Sequence, residues 1–435
     1  MKIFSKFIVF VLIGLLLSTP AMAYTSDRMD FGDVDFGGET VTIVGWYDPL
    51  GAFVEGGDYA GRLEEAKEKF NIGDIKFLQI PWGPDGQETI LSRFMAGDSE
   101  YDYWMLPHSS FFSLRTSGAL YPVSDVLNDG YYDNLPHQHQ KMADMLSLDE
   151  NKYTFSVYNG INNNTVFLAF NKTLLDREGI QDPYELYNND EWDWEALTEI
   201  AKKVTRDTDG DGKIDQWGLT EFNGPDWIHA NGGRITDVID GKVTFVADQS
   251  ATVNALKQMK EWERELKVVG GTWEKKKFYN GEIAFANLAT YQIGELKDNM
   301  EDEYGILPLA MGPDTDNYHY PSDNVDSLYL PSNAAQPKEM IALDNFLFRV
   351  DEFLEIQDQS FVDRATDETS YKVLQEGISN WTGEAAYMSW AIGRYYESVW
   401  GAAYEAVMYG DKTAASATAE IKPQAQALLD EALEQ

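Results

Sequence analysis

Between residues 41 and 106 the hydrophobic period alternates between two and about three and a half residues. Residues 41–46 (VTIVGW) form a β-branched apolar run. Residues 62–70 carry Leu63, Ala66 and Phe70 at helical spacing. Residues 75–80 (IKFLQI) are a second apolar run, stopped by Pro81. Residues 88–96 set Ile90, Leu91, Phe94 and Met95 on one side of a helix, with Gly97 where the chain leaves it. Residues 101–106 (YDYWML) are a third strand, stopped by Pro107. Strands alternating with helices of this length imply βαβ units and a mainly parallel sheet.

The alternation resumes further on. Residues 166–170 (VFLAF) read as a strand, and Asp193 caps a helix on which Leu197, Ile200, Ala201 and Val204 share a face. A long helix is predicted over 251–266, and strands over 283–287, 304–309 and 325–330. Residues 338–434 read as mostly helical, with Pro423 at the start of the last helix. No short-period repeat interrupts this order. Two α/β lobes followed by a helical C-terminal region account for the 435 residues.

Charge excludes several functions. The chain has 34 Lys and Arg against 73 Asp and Glu, a formal charge of −39. A nucleic-acid binder needs cations to displace phosphate counterions, and an anionic lipid surface would repel this chain. Such self-repulsion also favours a soluble monomer. There is no cysteine, so disulfides, thiolate metal ligands, a cysteine nucleophile and a lipidated cysteine are all absent. Lys2 and Lys6 precede an apolar run at 7–17, and Ala21-Met22-Ala23 follows. That pattern is an export signal over residues 1–23, cleaved to leave a periplasmic or secreted protein.

Several stretches, in order, resemble the extracellular solute-binding proteins of ABC importers, the large sugar-binding type to which maltose-binding protein belongs. They are LSRFMAGDSEYDYWMLPHSSFFSLRTSGALYPVSDVL (91–127), VFLAFNKTLLDREGI (166–180) and WDWEALTEIAKKVTRDTDGDGKIDQWGLT (192–220). NGGRITD (231–237), FYNGEIAFAN (278–287) and YGILPLAMGP (304–313) continue the series. Asn171-Lys172 and Gly97-Asp98 look like family landmarks. The resemblance implies a two-lobed α/β fold with mainly parallel sheets flanked by helices and a hinge of crossing strands. By the same analogy residues 24–160 and 318–350 form the N-lobe, and 161–317 and 351–435 the C-lobe. It further implies capture of a small solute, most often a sugar, and delivery to the permease subunits of an importer. The lipid-acceptor cysteine that many members carry after the signal is missing, which favours a protein that is not lipid-anchored.

In open α/β sheets, ligands gather beyond the carboxyl ends of the strands. Those positions here hold Trp46-Tyr47-Asp48, Pro81-Trp82, Pro107-His108-Ser109, Tyr158-Asn159, Phe222-Asn223 with Trp227, and Asn287 with Tyr291. Sugars offer apolar C–H faces and a rim of hydroxyls, which suit aromatic rings and hydrogen-bonding side chains. Trp46, Trp82, Trp227 and Tyr291 are the stacking candidates, joined by Trp381 from the helical region. Asp48, Asn159, Asn223, Asn287 and His108 are the polar candidates. For each, the competing reading is ordinary packing, which is preferred for Trp192, Trp194, Trp262 and Trp390.

Residues 207–215 (DTDGDGKID) match the start of a calcium loop: oxygens from Asp207, Asp209 and Asp211, Gly212 at the sharp turn, the Lys213 carbonyl, and Asp215. Gly218 stands where the bidentate Glu belongs, so the loop is partial. Structural calcium and a solvated Asp–Gly turn are both consistent with it. His137-Gln138-His139 offers two ligands and no cysteine, and reads as a polar surface loop rather than a metal site. No Gly-x-Ser-x-Gly elbow or glycine-rich phosphate loop is present. The residues therefore point to a non-catalytic binder. The alternatives are a secreted glycoside hydrolase, which needs two carboxylates across one bond, and a solute receptor that feeds a sensor.

Overall fold

The structure, a computed structural model, describes residues 28–98, 100–147, 151–158, 164–222, 225–240, 242–270, 275–322, 325–381 and 396–433. Residues 1–23, expected to be an export signal, lie outside them. The principal elements of the first half are β1 (Thr40–Gly45), α1 (Arg62–Phe70), β2 (Asp74–Gln79), α2 (Pro84–Met95), β3 (Tyr103–Pro107), α3 (Phe111–Thr116) and α4 (His137–Met145). Then come β4 (Val166–Asn171), α5 (Trp194–Val204), β5 (Trp217–Thr220), α6 (Asp226–Ala230), β6 (Thr236–Ile239), β7 (Lys242–Phe245) and α7 (Ser250–Lys260). The rest are β8 (Val269–Gly270), β9 (Ile283–Ala289), α8 (Thr290–Asn299), β10 (Tyr304–Leu307), β11 (Asp326–Tyr329), α9 (Pro337–Leu347), α10 (Val350–Arg364), α11 (Glu368–Ser379), α12 (Ala402–Met408) and α13 (Ala414–Leu433).

Two sheets carry the lobes. The first has the order β11-β3-β1-β2. β1 pairs parallel with both β2 and β3, while β11 lies antiparallel to β3 with Asp326 opposite Pro107. The second has the order β10-β4-β9-β5-β8. β5 is parallel to β8 and β9, and β4 is antiparallel to β9 and β10. The sheets are thus mixed, since every return from one lobe to the other enters its sheet against the local strand direction. β6 and β7 form a separate antiparallel hairpin.

Local sequence explains most boundaries. Asp193 caps α5 by accepting from the Ala196 N–H at 2.9 Å, an interaction worth about 1 kcal/mol. Leu197, Ile200, Ala201 and Val204 are buried on one stripe of that helix, as the periodicity requires. Gly97 takes φ +79° after α2. Three expectations fail. α2 begins at Pro84, earlier than residue 88, because proline at the first helical position has its φ preset and no N–H to lose. The helix predicted over 251–266 stops at Lys260 and gives way to a π-helical turn, Glu261–Glu265, which seats the Trp262 ring in the core. Pro423 lies inside α13 rather than at its start. Burial of Ala414, Ala417, Ala425 and Leu429 along that helix holds it together across the missing hydrogen bond.

His137 opens α4 rather than standing in a loop, and His139 is buried with Nε2 3.0 Å from the Val157 carbonyl. Where the chain passes between the sheets its described ends meet: Thr165 bridges Ser322, and the Val166 N–H donates to the Pro321 carbonyl at 2.8 Å. Phe348 and Arg349 join α9 to α10, and Val350 and Phe353 at the start of α10 pack in the same core as α9. α11 packs on β10, and α13 packs on β7 while also touching α3 beside the first sheet.

Candidate functional site

The register shows where the strand ends point. Asp326 opens β11 at the carboxyl end of β3. Val166 opens β4 opposite Ala289, at the carboxyl end of β9. The crossing segments therefore run between the carboxyl ends of both sheets, and the two sets of strand-end side chains border the same interlobe space.

On the first lobe that set centres on Trp46. Its indole Nε1 donates to Asp326 Oδ1 at 3.0 Å, and Gln79 Nε2 donates to its carbonyl at 3.1 Å. Its ring meets Tyr47 edge-on, centroids 4.6 Å apart at 72°. The Tyr47 hydroxyl hydrogen-bonds that of Tyr158, and the Tyr158 ring stacks on Phe348 at 4.4 Å and 23°. Burial, with the nearby Asp326 charge, pushes both phenols above their ordinary range, so they remain neutral hydroxyls able to donate and accept. Asp326 is itself buried. The result is a half-buried indole edged by a carboxylate and two hydroxyls, a surface suited to a ring with C–H faces and a hydroxyl rim.

On the second lobe the set centres on Asn287. Its Nδ2 donates to Asp226 Oδ2 at 3.0 Å, and its Oδ1 accepts from Thr220 Oγ1 at 3.1 Å and Lys275 Nζ at 3.2 Å. Lys275 also donates to the Glu221 carbonyl at 3.3 Å. Only 2% of Lys275 is exposed, and it holds φ +61°, a conformation that side-chain-bearing residues avoid. Asn287 carries the link from this buried ammonium to the Asp226 carboxylate. Such strain at the ends of β5, β8 and β9 is the kind that persists where a site needs it.

The other sequence candidates fall differently. Trp82 and Tyr291 lie beyond β2 and β9, at 48% and 42% exposure. Asp48 is a turn cap, its Oδ1 accepting from the Leu50 N–H at 2.8 Å. His108 is buried with Nδ1 3.0 Å from the Val325 N–H, so it clasps the chain just before β11. Burial pulls it down to about 4, and the imidazole is neutral at pH 7. Trp227 is 2% exposed and packs edge-on against Trp262 at 5.0 Å, which leaves no open face for stacking. Trp381 is also buried, donating from Nε1 to Ser322 Oγ at 2.7 Å where the crossing segments meet. Asn159 and Asn223 lie outside the described residues. Asp326, Thr220, Asp226 and Lys275 were missed, although the strand-end rule had reached Tyr47 and Tyr158.

In the acidic loop, Asp207, Asp209 and Asp215 each bring a carboxylate oxygen within 4.8 Å of the others. Backbone N–H groups of Gly212 and Gly210 hold the Asp207 carboxyl below its ordinary range. Asp211 stands outside that trio. It accepts from the Lys213 N–H at 2.8 Å and lies 3.8 Å from the Lys213 ammonium. The converging oxygens are the donor type a hard cation takes.

Comparison with known proteins fits this geometry. The bacterial extracellular solute-binding protein family matches residues 55–352. A search of curated proteins by sequence finds no match. Among solved structures, the ABC substrate-binding protein Lmo0181 from Listeria monocytogenes in complex with cycloalternan is 15% identical, with a TM-score of 0.65 over 91% of this chain and 99% of that one. The maltose/maltodextrin-binding domain MalE from Bdellovibrio bacteriovorus bound to maltotriose is 18% identical, with a TM-score of 0.61 over 91% and 100%. UgpB from Mycobacterium tuberculosis in complex with glycerophosphocholine is 13% identical, with a TM-score of 0.64 over 90% and 98%. These likenesses show the two-lobed fold, and the family match extends over most of the sequence. The chain belongs to the bacterial extracellular solute-binding proteins.

Proposed function

We propose that the chain captures a mono- or oligosaccharide between its lobes and hands it unchanged to the permease subunits of an ABC importer. Family membership sets aside the glycoside-hydrolase reading, because these proteins bind solutes and do no covalent chemistry on them. The observation that carries the saccharide reading is the Trp46 indole edged by Asp326, Tyr47 and Tyr158 at the strand ends. Two of the solved structures described above hold cycloalternan and maltotriose, while another holds glycerophosphocholine, so the fold alone does not select a sugar. On this reading the protein works as a free monomer in the periplasm or outside the cell. Among the described residues no helix is long and apolar enough to cross a membrane.

A thermal-shift screen over mono-, di- and trisaccharides and glycerophosphocholine, followed by calorimetry, tests it. A saccharide binding with Kd on the order of 0.1–10 μM, about −8 to −10 kcal/mol, supports the reading. Binding of glycerophosphocholine alone overturns it.

The same reading includes structural calcium in the 207–215 loop, supported by the converging Asp207, Asp209 and Asp215 oxygens. Calcium there would tie β5 to the end of α5, and nothing in solute capture passes through it.

A further inference from the structure

The chain passes between the two sheets before β4 and again before β11, and Tyr158 belongs to a cluster that borders both passages. Tyr158 itself stands at the start of the first passage. Its ring stacks on Phe348, between α9 and α10, at 4.4 Å. Its hydroxyl meets that of Tyr47 and feels the charge of Asp326, the residue at which the second passage becomes β11. Asp326 in turn holds the indole nitrogen of Trp46 at 3.0 Å. The indole is thus fixed to a residue that the β11–β3 pairing holds in place.

We propose that Asp326 is the positioning residue of the site: it sets the plane of Trp46 for stacking on the solute. The inference rests on the saccharide reading above for what stacks. An indole whose only anchors are Cβ and packing turns about χ2, whereas a hydrogen bond from Nε1 to a buried carboxylate selects one orientation. Gln79 holds only the Trp46 carbonyl, so it fixes the backbone and leaves the ring to Asp326. Asp326 sits in the β11–β3 ladder of the sheet that carries β1, so carboxylate and indole share one rigid support.

A double-mutant cycle with maltotriose as the probe tests this, or with whichever saccharide the screen returns. Asp326→Ala is expected to weaken affinity about 10- to 100-fold, the range for loss of a hydrogen bond to a charged group. Asp326→Asn keeps an acceptor and is expected to restore affinity to within several-fold of the parent. In a Trp46→Ala background, Asp326→Ala is expected to change affinity less than threefold, because its effect passes through the indole. Equal losses in the two backgrounds overturn the proposal. A readout free of ligand runs in parallel: the Trp46 indole N–H resonance, assigned among the 12 tryptophans by its absence in Trp46→Ala. It is expected to move and lose hydrogen-exchange protection in Asp326→Ala, and to keep most of that protection in Asp326→Asn. An unmoved indole resonance overturns the positioning role. If the parent binds no saccharide, the saccharide reading falls and the indole resonance alone decides the role of Asp326.

Discussion

Replacing Arg28 with methionine is expected to cost little in acid and much at alkaline pH. Arg28 is 4% exposed, and its guanidinium donates to the Tyr131 hydroxyl and the Phe155 carbonyl at 2.8 Å each and to the Phe348 carbonyl at 3.3 Å. The Asp344 carboxylate, also buried, lies 3.7 Å away. Burial pushes Asp344 from 3.8 up to about 6, and Arg28 pulls the other way. A carboxyl whose folded value exceeds its unfolded one contributes stability that is complete below about pH 4 and is lost as pH rises through about 6. The gap of roughly 2 units corresponds to about 3 kcal/mol. Without Arg28 the raising cause remains and the opposing one is gone, so the loss continues to higher pH. At pH 5 the deficit of Arg28→Met against the parent is expected at about 1–3 kcal/mol, from its lost hydrogen bonds. At pH 8 it is expected at about 3–5 kcal/mol, the cost of an unpaired buried charge. Urea titrations followed by tryptophan fluorescence from pH 5 to 8 measure the difference. His108 titrates in both proteins and cancels, while loss of Arg28 relieves only the smallest of the causes that act on His139, after burial and the Val157 carbonyl. A deficit that stays constant with pH refutes the reasoning, as does failure of Asp344→Asn to restore stability to Arg28→Met at pH 8.

Three further outcomes are expected. Trp46→Ala weakens saccharide binding about 10- to 100-fold in calorimetry, while the melting temperature of the unliganded protein changes by no more than a few degrees. His108 and His139 are both held near 4 by burial, below the unfolded 6.5, so their neutral forms support the fold above pH 6.5. That support falls away as pH drops towards 4, by about 3 kcal/mol for each ring, and His139→Gln is expected to shift the acid-unfolding midpoint of circular dichroism downwards. Chelator-treated protein is expected to take up one calcium in calorimetry, and Asp209→Ala to take up none; no uptake by the parent ends the calcium reading.

How much the sequence disclosed depended on the reach of each interaction. Local signals carried the lobes: the Asp193 cap, the Leu197–Val204 stripe and the turn at Gly97 each involve residues within a few positions of one another. The strand-end rule picked out Trp46 and Asn287, and each makes a side-chain hydrogen bond to a buried carboxylate there. It failed for Trp227, because a short helix beside a strand end can turn its ring inward as readily as outward, and Trp381, chosen from the helical region, is buried as well. The polar partners were the least legible. Asp326 is one of 73 acids and meets Trp46 only after the chain has left the lobe and returned. Nothing around Lys275 announces a buried ammonium, since its placement follows from a left-handed backbone that the neighbouring residues do not encode. Asp48 misled for the opposite reason: an acid before proline caps a turn as often as it meets a ligand.

The return of β11 to the first sheet also orders the events of synthesis. β3 has β1 as its early neighbour, but its other edge stays open until Asp326–Tyr329 leaves the ribosome, after the whole second sheet has been made. Contacts this remote in sequence close slowly. The first lobe cannot lock while the chain is still short, so a nascent polypeptide of this design stays extended longer than one whose sheets close in sequence, and remains open to being threaded through a narrow channel before its halves come together.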